Sequence, residues 1–370
     1  MDRVLYIIDH LQNRSGIASV AMNYYRFFQK DGFNVDFLTY DENDESLENE
    51  VRQMGGNINY IPYLSIKNFF RFFISLKAFF EKNAGQYKVV HSHFPQIDLF
   101  AIPIATKYGG VSHYISHSHN TKHADSFLKI VRNFCFCYPL RFISDYRAAC
   151  SIKAGKFMYG RGFSKSKKDI VVNNAVDCSK YIFDIEKRKE LRKTLNVGDA
   201  VVVGTVGGLR VQKNYSFLID VMKILSQTEK KYKLIIVGEG PLKENLEQKV
   251  KKYNLEKDVM FLGRRSDVDE LYSAMDVFVL PSIYEGLPVV GIEAQATGLQ
   301  CLFSDRITRE VGVVNSSILP ITDAFLWAKK IELLNSCVDR NKSASEIRTL
   351  GFDIACEAKK IQSFYKEMMK

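Results

Sequence analysis

The chain has 370 residues, of which 46% are hydrophobic and 25% are charged, and its formal net charge is +10. This composition is typical of a globular protein and excludes a collagen-like, repetitive or disordered chain. The length predicts two domains of ordinary size, and no apolar run reaches the roughly 18–20 residues that a membrane-spanning helix needs. Because the N-terminal stretch lacks the apolar core of a secretory signal, we expect a cytoplasmic protein.

The positive charge is concentrated in one region. Between residues 60 and 168 there are 17 Lys and Arg against four Asp and Glu. Such a region predicts an anionic partner, which could be nucleic acid, a phosphorylated substrate or an anionic membrane surface. A solvated basic face that only aids solubility is the alternative.

Apolar runs of strand length alternate with longer amphipathic stretches along the whole chain. The strand candidates, in chain order, are "RVLYIID", "NVDFLTY", "NINYIPY", "VVHSH", "SHYISHSH", "RAACSI", "AVVVGTVG", "KLIIVGEG", "VMFLG", "VFVLPS" and "LQCLFSD". This alternation predicts an α/β protein in which helices cover both faces of parallel sheets. We expect two Rossmann-like doubly wound domains facing across a cleft, over 1–168 and 169–354. A C-terminal helix over about 355–370 could pack back onto the first domain.

The loop after the first strand contains a single glycine, Gly16, in "RSGIA". The G-x-G-x-x-G dinucleotide fingerprint and the Walker loop are both absent, which disfavours nicotinamide, flavin and P-loop enzymes. Backbone amides near Gly16 can still contact an anion at a helix N-terminus, although the glycine could equally mark only a turn.

The stretch "SIKNFFRFFISLKAFFEKN" predicts an amphipathic helix. At 100° per residue, Lys67, Arg71 and Lys82 fall on one arc and a stripe of Phe and Leu falls on the other. We hypothesise that this helix docks on an anionic membrane surface. Burial of the stripe in the protein core is the alternative.

Four histidines flank the ends of two predicted strands: His91, His93, His117 and His119. A single histidine at such a position is usually structural. Two pairs at the same sheet edge favour a functional site, because imidazole can donate or accept a proton near neutral pH.

In the second half, "VGGLRVQKN" places Arg210 and Lys213 directly after a strand. Cations beside a helix N-terminus can bind a diphosphate leaving group, and the alternative is a solvated helix start.

Further on, Asp267 and Asp269 have the D-x-D spacing of some metal sites. We favour the alternative that they cap the following helix.

The stretch "PSIYEGLPVVGIEAQATG" carries Glu285 and Glu293 on either side of a turn and a helix start. A carboxylate can accept two hydrogen bonds at once, which suits neighbouring sugar hydroxyls. Glu293 lies in a largely apolar stretch, where a carboxylate is costly to bury unless it has partners.

These motifs together resemble the retaining glycosyltransferases of family 4, which have the GT-B architecture, and most closely the capsule and exopolysaccharide branch. The segments that carry the resemblance are "LPSIYEGLPVVGIEAQATGLQCLFSD", "QKNYSFLI", "LIIVGEGPLKENLE", "VMFLGRRSDVDELYSAMDVF", "HYISHSHNT", "IVVNNAVD" and "MNYYRFF". They cover nearly the whole length of the chain.

The resemblance implies roles for individual residues of the donor site. Glu285 would hold hydroxyls of the donor sugar, and the amides of Gly286 and Leu287 would lie close to sugar and phosphate. Glu293 would bind the nucleotide ribose, and Lys213 would neutralise the diphosphate.

Further positions follow from the same resemblance. Arg264 would meet the base, and His119, rather than His117, would lie near the transferred sugar. The arginine that the family places after "VG" falls at Gly208 here, so its role would pass to Arg210. The N-terminal loop has one glycine, Gly16, where the family usually has two.

The implied activity is transfer of a hexose-type sugar from a nucleotide sugar, with a UDP-sugar favoured, to a growing lipid-linked surface polysaccharide. The implied partners are this donor, the lipid-linked glycan acceptor and an anionic membrane surface, and not nucleic acid. We therefore expect a cytoplasmic protein that is peripheral at the inner face of the cell membrane, with neither metal nor another cofactor. Two alternatives stay open: a nucleotide-sugar epimerase or hydrolase on the same fold, and a catalytically silent GT-B binding protein, which Gly208 would favour.

Overall fold

The computed structural model describes residues 3–12, 15–40, 45–121, 127–334 and 340–370. The chain divides into two compact units. The first consists of Met1–Ala175 with Ile354–Lys370, and the second consists of Val176–Asp353.

The first unit is built on a seven-stranded parallel sheet with the strand order β3-β2-β1-β4-β5-β6-β7. Its strands are β1 (Arg3–Ile7), β2 (Asn34–Thr39), β3 (Ile58–Tyr60), β4 (Val89–Ser92), β5 (His113–Ser118), β6 (Tyr146–Ala149) and β7 (Asp169–Val171). Its helices before the second unit are α1 (Gly16–Lys30), α2 (Glu45–Gln53), α3 (Phe69–Lys82), α4 (Asp98–Gly109), α5 (Phe127–Cys137), α6 (Leu140–Ile143) and α7 (Ile152–Tyr159). The central strands are almost wholly buried because helices cover both faces of the sheet.

The second unit is built on a six-stranded parallel sheet with the order β10-β9-β8-β11-β12-β13. Its strands are β8 (Val201–Val206), β9 (Tyr232–Val237), β10 (Val259–Gly263), β11 (Val277–Leu280), β12 (Gln300–Ser304) and β13 (Ser316–Leu319). Its helices are α8 (Ile185–Thr194), α9 (Tyr215–Leu225), α10 (Lys243–Lys252), α11 (Val268–Ala274), α12 (Val289–Ala296), α13 (Ala324–Leu333) and α14 (Ser343–Thr349). Trp327 is fully buried in its core and donates to the carbonyl oxygen of Pro320 at 2.8 Å.

The last helix, α15 (Ile354–Met369), belongs to the first unit. It packs against α1 and β4, and the hydroxyl of its Tyr365 lies 3.1 Å from the hydroxyl of Tyr6 on β1. Tyr365 is fully buried, and its ring stacks on Phe33 with the ring centroids 6.0 Å apart. These contacts bury one face of the C-terminal helix in the core of the first unit.

Two strands differ from the sequence prediction. β7 pairs with β6, so the first unit continues to Ala175 instead of ending at residue 168. β13 was not predicted, because its sequence "SSIL" starts with two serines and all of its residues are only partly buried at the sheet edge. The predicted fold class, two Rossmann-like parallel-sheet domains, is confirmed.

The aromatic stripe of α3 is divided between core and surface. Phe72, Leu76 and Phe80 are buried, as the core-packing alternative predicted, whereas Phe70 and Ile74 are 79% and 69% exposed. Phe70 and Ile74 therefore lie on a different side of α3 from most of the apolar stripe that the periodicity predicted. Within the described ranges, no helix combines the length and the apolar character needed to cross a membrane.

Candidate functional site

The order of the strands places β8 and β11 side by side in the second unit, although they are not consecutive in sequence. The remaining strands lie on either side of this pair: β9 and β10 beside β8, and β12 and β13 beside β11. In doubly wound folds, ligands bind at the carboxyl ends of the strands where the strand order reverses, and the loops after β8 and β11 lie at such a point. Lys213 follows β8, in the 3₁₀ turn Val211–Lys213, and Glu285 follows β11.

An ion pair joins these two loops. The Nζ atom of Lys213 lies 2.7 Å from Oε1 of Glu285, and the two side chains are only 16% and 11% exposed. A charge-assisted bond with so little solvent is short and well oriented. The structure thus brings together two residues that the sequence assigned to different sides of the donor, one to the diphosphate and one to the sugar.

Backbone and amide hydrogen bonds hold the two loops around the ion pair. The amide of Ile283 donates to the carbonyl oxygen of Gln212 at 2.8 Å, and the Gln212 side chain donates to the carbonyl oxygen of Tyr284 at 3.0 Å. Asn214 donates to the carbonyl oxygen of Pro281 at 3.3 Å. The positions of the charged side chains are therefore fixed by their backbones before any ligand arrives.

Glycines allow the loops after β8 and β9 to approach closely. Gly207 and Gly238 have φ angles of 148° and 135°, and a Cβ atom on Gly238 would collide with the carbonyl oxygen of Gly207. At Gly208 a Cβ atom would fit, with the carbonyl oxygen of Glu239 at 3.5 Å and Nε of Arg210 at 3.7 Å. The exposed Arg210 side chain therefore lies close to the Cβ position that a side chain at residue 208 would have.

Glu293 lies on α12 and has two partners that the sequence analysis missed. Tyr181 donates to its Oε1 and Tyr272 to its Oε2, each at 2.9 Å. Burial raises the pKa of Glu293, and the two tyrosine hydrogen bonds act in the opposite direction. The spacing of residues in the sequence could not reveal these partners, because both tyrosines are distant from Glu293 in sequence and resemble ordinary aromatic core residues.

The remaining donor-site candidates of the second unit lie at the same edge of the sheet. Gly286 and Leu287 are buried just before α12, whose first turn has Pro288 at the N-cap and no side-chain cap. Arg264 is exposed and directly follows β10. The hydrogen bond from the amide of Gly238 to the carbonyl oxygen of Gly263, at 2.8 Å, connects the loop of Arg264 to its neighbour.

The D-x-D pair has the geometry of a helix start. Both oxygens of Asp267 accept from Arg265, at 2.8 and 2.6 Å, and this bond lowers the pKa of the carboxyl. Asp269 lies in the first turn of α11, where a carboxylate favours the helix dipole. The two residues occupy the N-cap and first-turn positions that the capping alternative predicted, but the Asp267 side chain makes no cap hydrogen bond.

Gly16 and His119 belong to the first unit. Gly16 is the first residue of α1, and its N-cap Ser15 accepts from the amide of Ala18 at 3.3 Å. His119 follows β5 and is partly exposed, whereas His117 is fully buried. Burial lowers the pKa of His119 to about 3, so its ring is neutral at neutral pH. Of these two histidines, His119 is the one that a ligand can reach.

The family of the chain follows from comparison with known proteins. Residues 186–343 match the model "Glycosyl transferases group 1", and residues 14–180 match "Glycosyltransferase Family 4". The glycosyltransferase EpsF of Bacillus subtilis is 31% identical over 338 residues, which cover 89% of this chain and 86% of EpsF. The chain belongs to glycosyltransferase family 4. The resemblance drawn from the sequence is therefore confirmed at the level of the family.

Other family 4 relatives match over the full length. The UDP-Gal:alpha-D-GlcNAc-diphosphoundecaprenol alpha-1,3-galactosyltransferase of Escherichia coli is 24% identical over 388 residues, covering 96% of this chain and 94% of that enzyme. Among solved structures, Anabaena HepE in complex with UDP and glucose has a TM-score of 0.80 at 16% identity, covering 99% of this chain and 100% of HepE. This structural likeness identifies the fold as GT-B.

Proposed function

We propose that this family 4 protein is a retaining glycosyltransferase that moves a hexose-type sugar from a UDP-sugar to a growing, lipid-linked surface polysaccharide. The observation that carries the proposal is the Lys213–Glu285 ion pair, which joins the loops after β8 and β11. A cation for a diphosphate and a carboxylate for sugar hydroxyls are then adjacent, as a bound nucleotide sugar requires.

The donor is held by residues of the second unit. Lys213 and Arg210 neutralise the diphosphate, and Glu285 accepts hydrogen bonds from hydroxyls of the sugar. The amides of Gly286 and Leu287 lie beside sugar and phosphate. A matching example of UDP recognition on this fold is HepE, which was solved with UDP and glucose.

Further donor contacts complete this proposal. Glu293 accepts from the ribose hydroxyls, and Arg264 contacts the base. For the first unit, the proposal assigns His119 to the transferred sugar and the loop at Gly16 to the phosphates or the acceptor.

The chemical step follows from this placement of charge. As the bond between the anomeric carbon and the diphosphate oxygen breaks, negative charge grows on the leaving diphosphate, and Lys213 and Arg210 stabilise it. The acceptor hydroxyl attacks from the same face and gives its proton to the departing diphosphate, so the configuration of the anomeric carbon is retained. Because Lys213 and Arg210 supply the positive charge, we propose that the donor chemistry needs no metal.

The acceptor proposal draws on the Escherichia coli relative, whose name gives a GlcNAc-diphosphoundecaprenol acceptor. A lipid-linked acceptor lies at a membrane, so we propose that the protein works as a peripheral protein at the inner face of the cell membrane. The first unit offers a surface of suitable chemistry. Exposed apolar side chains of α3, α5 and neighbouring segments occur there together with exposed basic residues.

Aromatic rings of α3, α4 and α5 contact one another within the first unit. Ring contacts run from Phe69 to Phe73 at 4.8 Å, from Phe73 to Phe100 at 5.0 Å, and from Phe100 to Phe136 at 5.2 Å between centroids. On α5, Leu128 is 80% exposed. Exposed aromatic and aliphatic side chains among lysines and arginines favour the headgroup region of an anionic bilayer.

Liposome co-sedimentation tests the membrane proposal. The double variant Phe70→Ser with Ile74→Ser should lose most of its binding to anionic vesicles, because these two side chains are the most exposed apolar groups of α3. The matched control is Phe325→Ser, which removes a 64% exposed phenylalanine from the second unit and should bind as the wild type does. Absence of wild-type binding, or equal binding by the double variant, would exclude this surface.

A transfer assay tests the enzymatic proposal. UDP-sugars are incubated with a polyprenyl-diphosphate-linked saccharide, and NMR of the product gives the anomeric configuration. The expected product keeps the configuration of the donor, and Glu285→Gln abolishes most of its formation. Donor turnover without acceptor would favour the hydrolase or epimerase alternative, and tight donor binding with no turnover would favour the silent binding protein.

A further inference from the structure

Four histidine rings form an array on one face of the first sheet. The strand register pairs Ser92 of β4 with Ser116 of β5, so the histidines next to these serines point together to the opposite face. The rings of His91 and His93 stack with centroids 4.4 Å apart, and each has its centroid 5.1 Å from that of His117. The strand register therefore brings these side chains together.

Three of these residues form a compact set of nitrogen atoms. One ring nitrogen each from His91, His93 and His117 lies within 4.8 Å of the other two, and the side chains are 2%, 3% and 0% exposed. The Nε2 atom of His91 is already 3.0 Å from Nδ1 of His117. Ligands with zinc–nitrogen bonds of about 2.0–2.1 Å are roughly 3.3 Å apart in a tetrahedral site, so the stacked rings would have to turn toward one point to hold an ion.

The set contains ring nitrogens that can bind a ligand. Imidazole binds a metal ion through the lone pair of a ring nitrogen. Among the described residues, the buried Nε2 atoms of His93 and His117 have no hydrogen-bond partner, which is unfavourable for a buried polar atom and would be relieved by a bound ion.

We propose that His91, His93 and His117 bind a transition-metal ion, with Zn²⁺ as the reference ion. Imidazole nitrogens suit Zn²⁺, Cu²⁺ and Ni²⁺, whereas Mg²⁺ and Ca²⁺ prefer oxygen ligands, which this set does not contain. Three histidine ligands leave a fourth position for water or for another group. This inference revises the expectation that the protein carries no metal, and it concerns the first unit, not the donor residues of the second.

The neighbours of the set have the arrangement that metal-binding histidines require. The hydroxyl of Tyr365 contacts Nδ1 of His91 and leaves Nε2 of that ring for the ion. Nδ1 of His93 lies 2.9 Å from Nε2 of His119. With its Nε2 on the metal, His93 keeps its proton on Nδ1 and donates it to His119, which fixes the tautomer of His119. The relevance of this tautomer to sugar transfer rests on the proposed function of His119, whereas metal binding does not.

Calorimetry on the untagged full-length protein, after treatment with a chelator, tests the site. Zn²⁺ should bind at one equivalent per chain, and Mg²⁺ should give no heat. His93→Gln and His117→Gln should each weaken Zn²⁺ binding by at least about 100-fold, and Tyr365→Phe by about 10–100-fold through loss of the outer hydrogen bond. The matched control is His113→Gln, which changes a partly exposed histidine of β5 outside the array and should leave the affinity unchanged.

X-ray absorption spectroscopy of the zinc-loaded wild type gives a second readout that needs no variant. It should show three imidazole nitrogens at about 2.0–2.1 Å. Failure of Zn²⁺ to bind stoichiometrically, or a spectrum dominated by oxygen or sulfur ligands, would overturn the proposal. So would an affinity that His93→Gln and His117→Gln leave intact. Zinc binding without sugar transfer would contradict the proposed function but support this site.

Discussion

The ammonium of Lys213 and the carboxylate of Glu285 lie 2.7 Å apart and connect the loops that follow two neighbouring strands of the second sheet. Both side chains are mostly buried, so the two charges compensate one another where solvent contributes little. The pair holds a cation and an anion together before a ligand binds. A donor sugar diphosphate would therefore meet two oriented groups of opposite charge.

Loss of either charge should reduce turnover strongly. We expect Glu285→Gln and Lys213→Gln each to lower kcat/KM for the UDP-sugar at least about 100-fold, because a preorganised charged group at a site of charge development contributes that much. Steady-state kinetics measure the effect. Lys243→Gln serves as the control, since Lys243 is 54% exposed and pairs only loosely with Glu247 at 3.8 Å. A change of less than threefold in the Glu285 variant would show that this residue does not act on the donor.

The tyrosine bonds to Glu293 should affect nucleotide affinity. Tyr181→Phe removes the donor to Oε1 but keeps the ring, so the carboxylate loses one of the two bonds that orient it. We expect the Kd for UDP to rise about tenfold in calorimetry, which corresponds to one hydrogen bond of about 1.4 kcal/mol.

The control for this experiment is Tyr253→Phe. Tyr253 donates to Asp220 at 3.0 Å elsewhere in the second unit, so its loss should leave the UDP affinity unchanged. Equal effects of the two substitutions would indicate a general loss of stability, and no effect of Tyr181→Phe would separate Glu293 from nucleotide binding.

Asp276 should be a major source of stability in the second unit. Its carboxylate accepts from Arg188 at 2.5 Å and from Arg192 at 3.0 Å, with all three side chains largely shielded from solvent. Asp276→Ala would remove the carboxylate that neutralises two arginines and leave them hydrogen bonds to backbone carbonyls. We expect the free energy of unfolding to fall by about 3–5 kcal/mol. Urea denaturation measures this value.

The exposed pair Lys233–Asp258 provides the comparison. Its atoms are also 3.0 Å apart, but Asp258 is 34% exposed. Asp258→Ala should therefore cost less than about 1 kcal/mol, because solvent weakens the pair. Similar costs at Asp258 and Asp276 would contradict the role assigned to burial.

Asp98 should make the stability of the first unit depend on pH. Burial raises the pKa of its carboxyl to about 7, although hydrogen bonding, including the bond that the Tyr114 hydroxyl donates to Oδ1 at 2.8 Å, opposes this shift. The ordinary value in an unfolded chain is about 3.9, so the folded state binds the additional proton between pH 4 and 7. Stability from this group is therefore complete below pH 4 and is lost as the pH rises through 7, by about 1.4 kcal/mol per pH unit.

The variant Asp98→Asn isolates this contribution, because the amide does not titrate and the other groups cancel in the difference. The unfolding free energy of the wild type minus that of the variant should decrease steadily from pH 4 to pH 7 in urea denaturation. A difference that is constant, or that increases with pH, would contradict the raised pKa.

Much of the fold could be predicted from the sequence because buried parallel strands are continuous apolar runs. β13 escaped prediction because an edge strand with two serines lacks such a run. The three residues of β7 lie just after the domain boundary predicted at residue 168, because so short a run does not show whether it pairs with a neighbouring strand. On α3, the periodicity gave an amphipathic helix but could not identify the face that the core would cover, since phenylalanine occurs on several sides.

The candidate site was predictable to a similar extent. The types and spacing of Lys213, Glu285 and Glu293 indicated the chemistry, but not that the first two form an ion pair, since strand order brings their loops together. Tyr181 and Tyr272 could not be predicted, because their role depends on hydroxyl positions in the folded core.

The most direct test of the account is a thermal-unfolding screen with UDP-, GDP-, ADP- and dTDP-sugars, using wild type and Glu293→Ala. A ligand that binds only the folded state raises the Tm according to its affinity. The account predicts that a UDP-sugar raises the Tm of the wild type and that this shift disappears in Glu293→Ala. No shift with any donor, or an undiminished shift in the variant, would contradict a UDP-sugar site at Lys213, Glu285 and Glu293.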